Sequence, residues 1–326
     1  MKYVIFGAGA IGGGIGGSLG RAGKDVVLVA RGAHLSALQS GGLDLRQPDG
    51  TSDKLDIPAV GPVADAGLEP GDVVILAMKS QHTNAALEDL EGTGQPDIVV
   101  VCAQNGVDNE RQALRRFGRV YGMCVQMPAS HLEPGVVQLG AAPIHGVLDL
   151  GRYPEGRDQT AEEIAADLQA ARFASVAHPA IMTRKYRKLL GNLGNSLDAA
   201  AGRAGRQSRL LATARAEAQA CFAAAGIAVS SAEEDAERRR PLEGGITAGD
   251  RGGSSSWQSL ARGSGSIEAD YLNGEIVLLG RLHGVPTPVN EFLARLANSL
   301  ARQGAAPASM SLEEVEAAAA AAGIAA

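Results

Sequence analysis

Residues 1–31 read MKYVIFGAGAIGGGIGGSLGRAGKDVVLVAR, and this stretch decides the fold. Residues 2–6 (KYVIF) are an apolar run suited to a buried strand, and GAGAIG at 7–12 follows without a gap. A second apolar run, DVVLVA at 25–30, arrives at the interval of a βαβ unit and ends on Arg31. A glycine turn between strand and helix lets a pyrophosphate approach the main chain and rest on the helix N-terminus. A GxGxxG pattern by itself is weak, but a strand on either side makes it a dinucleotide fingerprint. Sites for NAD usually close the second strand with Asp or Glu, which binds the ribose 2′-hydroxyl. This chain has Ala30 and Arg31 there, and a guanidinium suits a 2′-phosphate, so the sequence predicts an NADP site.

The chain has 326 residues, enough for two domains that each bury a core. Its 45% hydrophobic and 20% charged residues are those of a globular protein. Aromatics make up only 3% and there are 43 glycines, so the core must rest on aliphatic side chains and close main-chain contacts. A net charge of -6 argues against a general nucleic-acid binder. Cys102, Cys124 and Cys221 stand far apart with no CxxC spacing, which argues against zinc and against a disulfide framework. Lys2 followed by apolar residues imitates a signal peptide, but the glycine pattern with Arg21 and Lys24 fits a nucleotide fold better. No apolar run is long enough to cross a bilayer, so the expectation is a cytoplasmic protein with no membrane contact.

Further strand-like runs follow at 72–78 (DVVILAM), 97–103 (DIVVVCA) and 120–125. Such continuous aliphatic runs suit a parallel sheet covered by helices on both faces. Helices are expected between them at 83–90 and 109–117. GVVQLG and IHGVLDLG, within 135–151, are shorter and more alternating, and read as antiparallel strands that extend the sheet edge. An alanine-rich helix is expected at 160–171, and from about 179 onward helices dominate, at 180–201, 207–225, 231–239, 257–283 and 289–303. This divides the chain into a Rossmann-type α/β domain at 1–178 and an all-α domain at 179–326. Ser311 and Glu314 ahead of an alanine run form a capping-box pattern for a terminal helix that could dock loosely. Gly13, Gly14, Gly16, Gly17 and Gly20 fill the first helix, where each glycine costs about 1 kcal/mol relative to alanine. Close packing on the sheet is the expected compensation.

In open α/β folds ligands bind beyond the carboxyl ends of the strands, so the polar residues that follow each strand matter most. Lys79, Ser80, Gln81 and His82 follow the run at 72–78, and Gln104, Asn105 and Gly106 follow the run at 97–103. Lys79 could hold a phosphate or a carboxylate, or be an ordinary surface lysine; Asn105-Gly106 is also a good turn. A second cluster lies in KYRKLLGNLGNSLDAA: on one continuous helix Lys188, Asn192, Asn195 and Ser196 would share a face. One lysine among neutral hydrogen-bonding groups can grip a 2-oxo acid and protonate its developing alkoxide. The same lysine with Arg184, Lys185 and Arg187 could equally be a plain basic face. A third cluster is GDRGGSSSWQS at 249–259, whose serines are natural caps for a helix that would carry Glu268, Asp270 and Tyr271.

Together these clusters resemble the ketopantoate reductase family (2-dehydropantoate 2-reductase), NADPH enzymes of pantothenate biosynthesis. The resemblance runs from GAGAIG to the Val-Pro-Thr-Pro segment at 285–288. It implies a Rossmann-type doubly wound sheet joined to a 6-phosphogluconate dehydrogenase C-terminal-like helical domain, with the site in the cleft between them. It assigns NADPH to Gly7, Gly9, Ala10, Ile11, Gly12, Arg31, Lys79 and Asn105, and catalysis to Lys188, which heads the family's K-x4-N pattern, and Glu268, in its E-x-DY-x-x-G segment. Asn105, Asn192, Asn195, Ser196, Ser255 and Ser256 are the substrate-binding candidates. The departures surround the substrate. Ser196 stands where the family has a second Asn, Ser259 replaces an acidic residue, and His82 replaces a Gln. Ser255 fits the family's serine by distance to Gln258 and Ser256 by distance to Glu268, so both stay open. The implied reaction is NADPH-dependent reduction of a 2-oxo acid, with a hydroxyacid or opine-type dehydrogenase, or a non-catalytic NADP sensor, as alternatives. The implied partner is a small-molecule 2-oxo acid, with no metal and with a homodimer left open.

Overall fold

The computed structural model describes residues 1–243 and 253–324. The chain divides into two compact units, Met1–Lys185 with Ser231–Arg251, and Tyr186–Ser230 with Gly252–Ala326. The break falls seven residues beyond 178, and a later segment returns to the first unit.

In the first unit, chain order is β1 (Tyr3–Phe6), α1 (Ala10–Arg21), β2 (Val26–Val29), α2 (Gly32–Gly41), β3 (Leu43–Arg46), β4 (Ser52–Leu55), β5 (Ala59–Val60), β6 (Val73–Leu76), α3 (Thr83–Glu91), β7 (Val99–Cys102), α4 (Asn109–Leu114), β8 (Val120–Gln126), β9 (Ala129–Ser130), β10 (Val136–Leu139), β11 (Gly146–Arg152), α5 (Gln159–Ala170) and β12 (Phe173–Ala174). The aliphatic runs become strands buried on both faces: Tyr3 and Ile5 enter one core and Val4 the other, and β7 divides Val99 and Val101 from Val100 and Cys102 in the same way. Eight strands form one sheet in the order β12-β11-β8-β7-β6-β1-β2-β5. From β5 to β8 every pairing is parallel, and the strand order reverses between β1 and β6, as in a doubly wound fold.

The two strands expected at the sheet edge part company. β11 pairs antiparallel with β8 and does extend the sheet. β10 instead enters a separate four-stranded sheet, β4-β3-β10-β9, parallel to β3 and antiparallel to β9. Its partner β3 (LDLR) alternates apolar with polar residues, with Leu43 and Leu45 buried, and β4 (SDKL), which pairs with β3, has a single apolar residue. Neither carries a continuous apolar run that would stand out in the sequence.

The small sheet lies on α1, and the glycines of α1 explain how. A Cβ added to Gly16 would lie 2.7 Å from Leu28 Cδ2 and 2.8 Å from Ile5 Cγ1, both in the large sheet. One added to Gly13 would lie 2.8 Å from Val137 Cγ2, and one on Gly17 2.8 Å from Leu43 Cδ2, both in the small sheet. Gly14 abuts Met127 and Leu139, and Gly20 abuts Ile57. The helix is thus held between two sheets with main chain against side chain, while Ile15 and Leu19 are fully buried beside the glycines. The backbone-entropy cost of the glycines is offset by this close packing.

Asp149 of β11, almost fully buried, explains the return of 231–243. Its carboxylate accepts hydrogen bonds from Arg238 Nε and Nη2 at 2.8 and 2.7 Å and from Arg184, as well as from the Val176 N–H at 3.1 Å. Arg238 lies on the helix Ala232–Arg239. Gln126 also donates to Asp235 at 2.9 Å, and Leu242 packs with Ala141 and Val147. A buried carboxylate must be paired, and two arginines from distant chain positions do this.

The remaining helices are α6 (Ile181–Asn192), α7 (Asn195–Gly205), α8 (Arg209–Ala224), α9 (Ala232–Arg239), α10 (Ser255–Ala261), α11 (Asn273–His283), α12 (Pro288–Arg302) and α13 (Leu312–Ala321). Two long helices of the sequence reading are broken. Residues 180–201 split at Leu193-Gly194, with Gly194 as the N-cap of α7. Residues 257–283 split into α10, a 3₁₀ turn at Glu268–Tyr271 and α11. The terminal helix is firmly seated: Val315 and Ala319 are fully buried, Ser311 and Glu314 form the expected capping box, and Ser208 donates to Glu316 at 2.9 Å.

Gly17→Val should lower the stability of the chain by about 1–3 kcal/mol through overpacking against Leu43 and Leu45. Urea unfolding followed by circular dichroism measures this, and an unchanged midpoint would show that the small sheet does not press on α1.

Candidate active site

The register of the large sheet aligns the predicted cofactor residues. Phe6 pairs with Val29 and with Leu76, and Leu76 pairs with Cys102, so four parallel strands end level. Gly7 follows the first of these, Arg31 the second, Lys79 the third and Asn105 the fourth, all at the carboxyl edge and at the β1/β6 reversal. Gly7 has φ +101°, and a Cβ there would lie 2.9 Å from the Met78 nitrogen; a Cβ on Gly12 would strike the Gly7 carbonyl oxygen. Gly9 is the N-cap of α1, with Ala10 and Ile11 in the first turn and no acidic residue there. Gly7 and Gly12 thus pack directly against main chain, and the first-turn N–H groups of α1, which have no intrahelical acceptor, form a cradle that suits a pyrophosphate. Arg31 is exposed at the N-cap of α2. Lys79 and Asn105 are half-buried.

One residue that sequence reading missed ties this cradle to its surroundings. His34 Nε2–H donates to the Ala8 carbonyl at 2.7 Å, and its Nδ1 accepts from the Gly135 N–H at 2.9 Å. These partners fix the neutral tautomer with its proton on Nε2. The ring packs 4.1 Å from that of His131, whose Nδ1–H donates to the Val136 carbonyl at 2.9 Å. Burial holds the His34 pKa below its ordinary value. A single histidine three residues after Arg31 carries no local signal, because its partners come from 8 and 135.

The second unit holds the predicted substrate residues. Lys188, half-buried, and Asn192 lie one turn apart on α6, but Asn195 and Ser196 open a new helix, so the one continuous helix expected to carry all four does not exist. Ser196 is buried and donates to Asn273 Oδ1 at 2.7 Å. Asn273 in turn donates to the Leu193 carbonyl at 3.2 Å and to Asn290 Oδ1 at 3.0 Å. The Ser196 hydroxyl thus holds helices together. Asn195 and Ser256 are buried, and Ser255 and Ser256 are the first residues of α10, capped by Ser254. Positions 249–252 of GDRGGSSSWQS lie outside the described residues. Glu268 is buried at the start of its 3₁₀ turn. Two atoms stand out: Asn192 Nδ2 and Ser255 Oγ are buried without a hydrogen-bond partner.

The alternative of a plain basic face on α6 fails for two of its members. Arg184 is bound to Asp149, and Lys185 is 4% exposed and ion-paired with fully buried Glu110. Among the described residues no group of three His, Cys, Asp or Glu side chains could hold a metal ion, and no helix is long and apolar enough to cross a membrane.

Comparison with known proteins agrees with this architecture. The family description "Ketopantoate reductase PanE/ApbA" matches residues 3–155, and "Ketopantoate reductase PanE/ApbA C terminal" matches residues 180–301. A 2-dehydropantoate 2-reductase of Mesorhizobium japonicum is 30% identical, over 92% of this chain and 98% of its own length. That of Pyrococcus horikoshii is 33% identical, over 59% of this chain and only 61% of its own length; the match to the Pyrococcus abyssi enzyme spans 52% of that protein. Among solved structures, a PanE/ApbA family ketopantoate reductase from Ralstonia eutropha superposes with a TM-score of 0.78 at 27% identity, covering 93% of this chain and 99% of that one. A D-mandelate dehydrogenase bound to NADH and anilino(oxo)acetate shares the fold, with a TM-score of 0.80 at 24% identity over the same shares.

Replacing His34 with Ala should weaken binding of NADPH, the cofactor expected from the sequence, by about tenfold through loss of the bond to Ala8. His34→Gln keeps an N–H donor and should recover most of it. Titration by nucleotide fluorescence checks both, and equal affinity in the Ala variant would separate His34 from the cradle.

Proposed function

We propose that this chain, which belongs to the ketopantoate reductase family of oxidoreductases, reduces a small 2-oxo acid to the 2-hydroxy acid with NADPH, and that the acid is 2-dehydropantoate. The observation that carries the substrate side is the pair of buried polar atoms without partners, Asn192 Nδ2 and Ser255 Oγ, in the unit that bears Lys188. Each such atom costs about 1–3 kcal/mol, which a hydrogen bond to a carboxylate or hydroxyl would remove. On the cofactor side, the Gly7–Gly12 cradle fits a pyrophosphate and exposed Arg31 fits a 2′-phosphate.

The chemistry that a nicotinamide held at these residues would supply is hydride donation to the carbonyl carbon. The chain does the rest. Main-chain N–H groups at the start of α1 hold the diphosphate, Arg31 neutralises the 2′-phosphate, and Lys79 and Asn105 bind at the carboxyl edge of the sheet. As negative charge grows on the substrate oxygen, the Lys188 ammonium stabilises it and gives up a proton, so the alkoxide leaves as a hydroxyl and the lysine is recharged from water. Asn192 and Ser255 hold the carboxylate, with Asn195 and Ser256 beside them in sequence. Glu268 accepts from the substrate hydroxyl and orients Lys188. Ser196 is the weakest member of the set, since its proton is already given to Asn273.

That commitment of Ser196, together with Ser259 and His82, favours one second reading: another 2-hydroxyacid dehydrogenase on the same scaffold. NADPH oxidation with 2-dehydropantoate against a panel of other 2-oxo acids separates the two. Highest kcat/KM on a different acid would select the second reading, and no turnover with any acid would reject both. Lys188→Ala should cut kcat by about 100-fold or more with NADPH affinity retained; loss of affinity along with turnover would make it a structural lysine. Arg31→Asp should shift the NADPH-to-NADH preference by about tenfold or more, measured as a ratio of kcat/KM values, and an unchanged ratio would remove Arg31 from the 2′-phosphate site.

A further inference from the structure

One turn of the first unit, residues 104–106 after β7, is gripped by buried polar groups. The Lys185 ammonium, ion-paired with Glu110, also donates to the Gln104 carbonyl at 3.1 Å and the Cys102 carbonyl at 3.4 Å. Its three protons thus go to one carboxylate and two carbonyls at the end of a strand. From the other side Gln104 Nε2 donates to Thr83 Oγ1 at 2.6 Å, Thr83 Oγ1 donates to Asn109 Oδ1 at 2.8 Å, and Asn109 Nδ2 donates to the Asn105 carbonyl at 2.9 Å. Gly122 of β8 makes the room: a Cβ there would lie 3.2 Å from Glu110 Oε1.

Stability does not account for such a pair. Stripping water from two ions costs several kcal/mol each, and apolar replacements of a buried pair are often neutral or stabilising. Burial pushes the Glu110 pKa up against the pull of Lys185, and the carboxylate's second oxygen has no hydrogen-bond partner. What the pair does that apolar side chains could not is fix the carbonyls of Cys102 and Gln104, three residues and one residue before Asn105.

We infer that the buried Lys185–Glu110 ion pair, with Thr83 and Asn109, is a positioning device that sets the conformation of the 104–106 turn and thereby aims Asn105 at its ligand. The functional part of this inference rests on the reductase reading above; the structural part does not. Lys185 and Glu110 touch no reacting atom in this scheme and act only through Asn105.

The test is the double variant Lys185→Met/Glu110→Met in the full chain, which removes both charges together. Expected are a melting midpoint no lower than the parent's, unchanged affinity for 2′,5′-ADP, faster amide exchange at 104–106 than in β7, and a loss of about 100-fold in kcat/KM for the 2-oxo acid. Thr83→Val, which breaks the Gln104–Thr83–Asn109 chain without touching a charge, should give the same pattern with about tenfold loss, and it serves if the double variant does not fold. Parent-like amide exchange at 104–106 overturns the positioning role whether or not the parent turns over. Faster exchange with parent-like kcat/KM overturns the link to Asn105. A parent inactive on every 2-oxo acid sinks the reductase reading and with it that link, while the exchange measurement still decides the structural part.

Discussion

The first unit depends on how near a helix can come to a sheet. α1 has sheets on two sides, and its contact positions are glycines: Gly12 and Gly16 against Ile5 and Leu28, Gly13 and Gly17 against Val137, Leu43 and Leu45. Main chain approaches side chain directly, so aliphatic residues fill space that aromatic rings fill in other cores. This answers the composition, in which glycine is abundant and aromatics are scarce. It also sets the chemistry, because the close approach that seats α1 brings its N-terminal N–H groups to the ends of the parallel strands.

Around that edge the polar groups are arranged in layers. The outermost, Arg31, Lys79 and Asn105, are at least partly exposed and are the ones assigned to ligands. Behind them His34 fixes the Ala8 carbonyl and Lys185 fixes that of Gln104, each a cation-forming side chain turned inward onto the main chain. In the second unit the same division holds among neutral groups. Asn273, Asn290 and Ser196 are paired with one another or with carbonyls, whereas Asn192 and Ser255 keep an unpaired atom.

What could be read from the sequence follows from how local each signal is. The parallel strands were legible because burial on both faces writes an unbroken aliphatic run, as in VVIL and VVVC. The turn from β1 into α1 was legible because its close main-chain contacts require glycines at fixed spacing within six residues. β3 and β4 were illegible because LDLR shows only four residues of alternation and SDKL a single apolar residue, and both resemble a loop. The break at Leu193-Gly194 was hidden by good helix formers on both sides, and it undid the continuous helix drawn for Lys188, Asn192, Asn195 and Ser196. Lys185 looked like one cation among four, since Glu110 is 75 positions away and only the folded chain brings the two together. Spacing leaves Ser255 and Ser256 equivalent; the fold distinguishes them, because the Ser255 hydroxyl is buried without a hydrogen-bond partner, which no spacing expresses.

The two-arginine grip on Asp149 reaches into how this architecture can be recombined. The sheet-bearing half is not a contiguous piece of text: one guanidinium arrives from 184 and the other from 238, with forty-five residues of the other half spelled out between 185 and 231. A fragment cut cleanly where the sheet ends would strand an anion in an oily interior. Grafting this half onto a foreign partner, by gene fusion in nature or in the laboratory, therefore means transplanting two separate stretches and preserving the excursion that joins them.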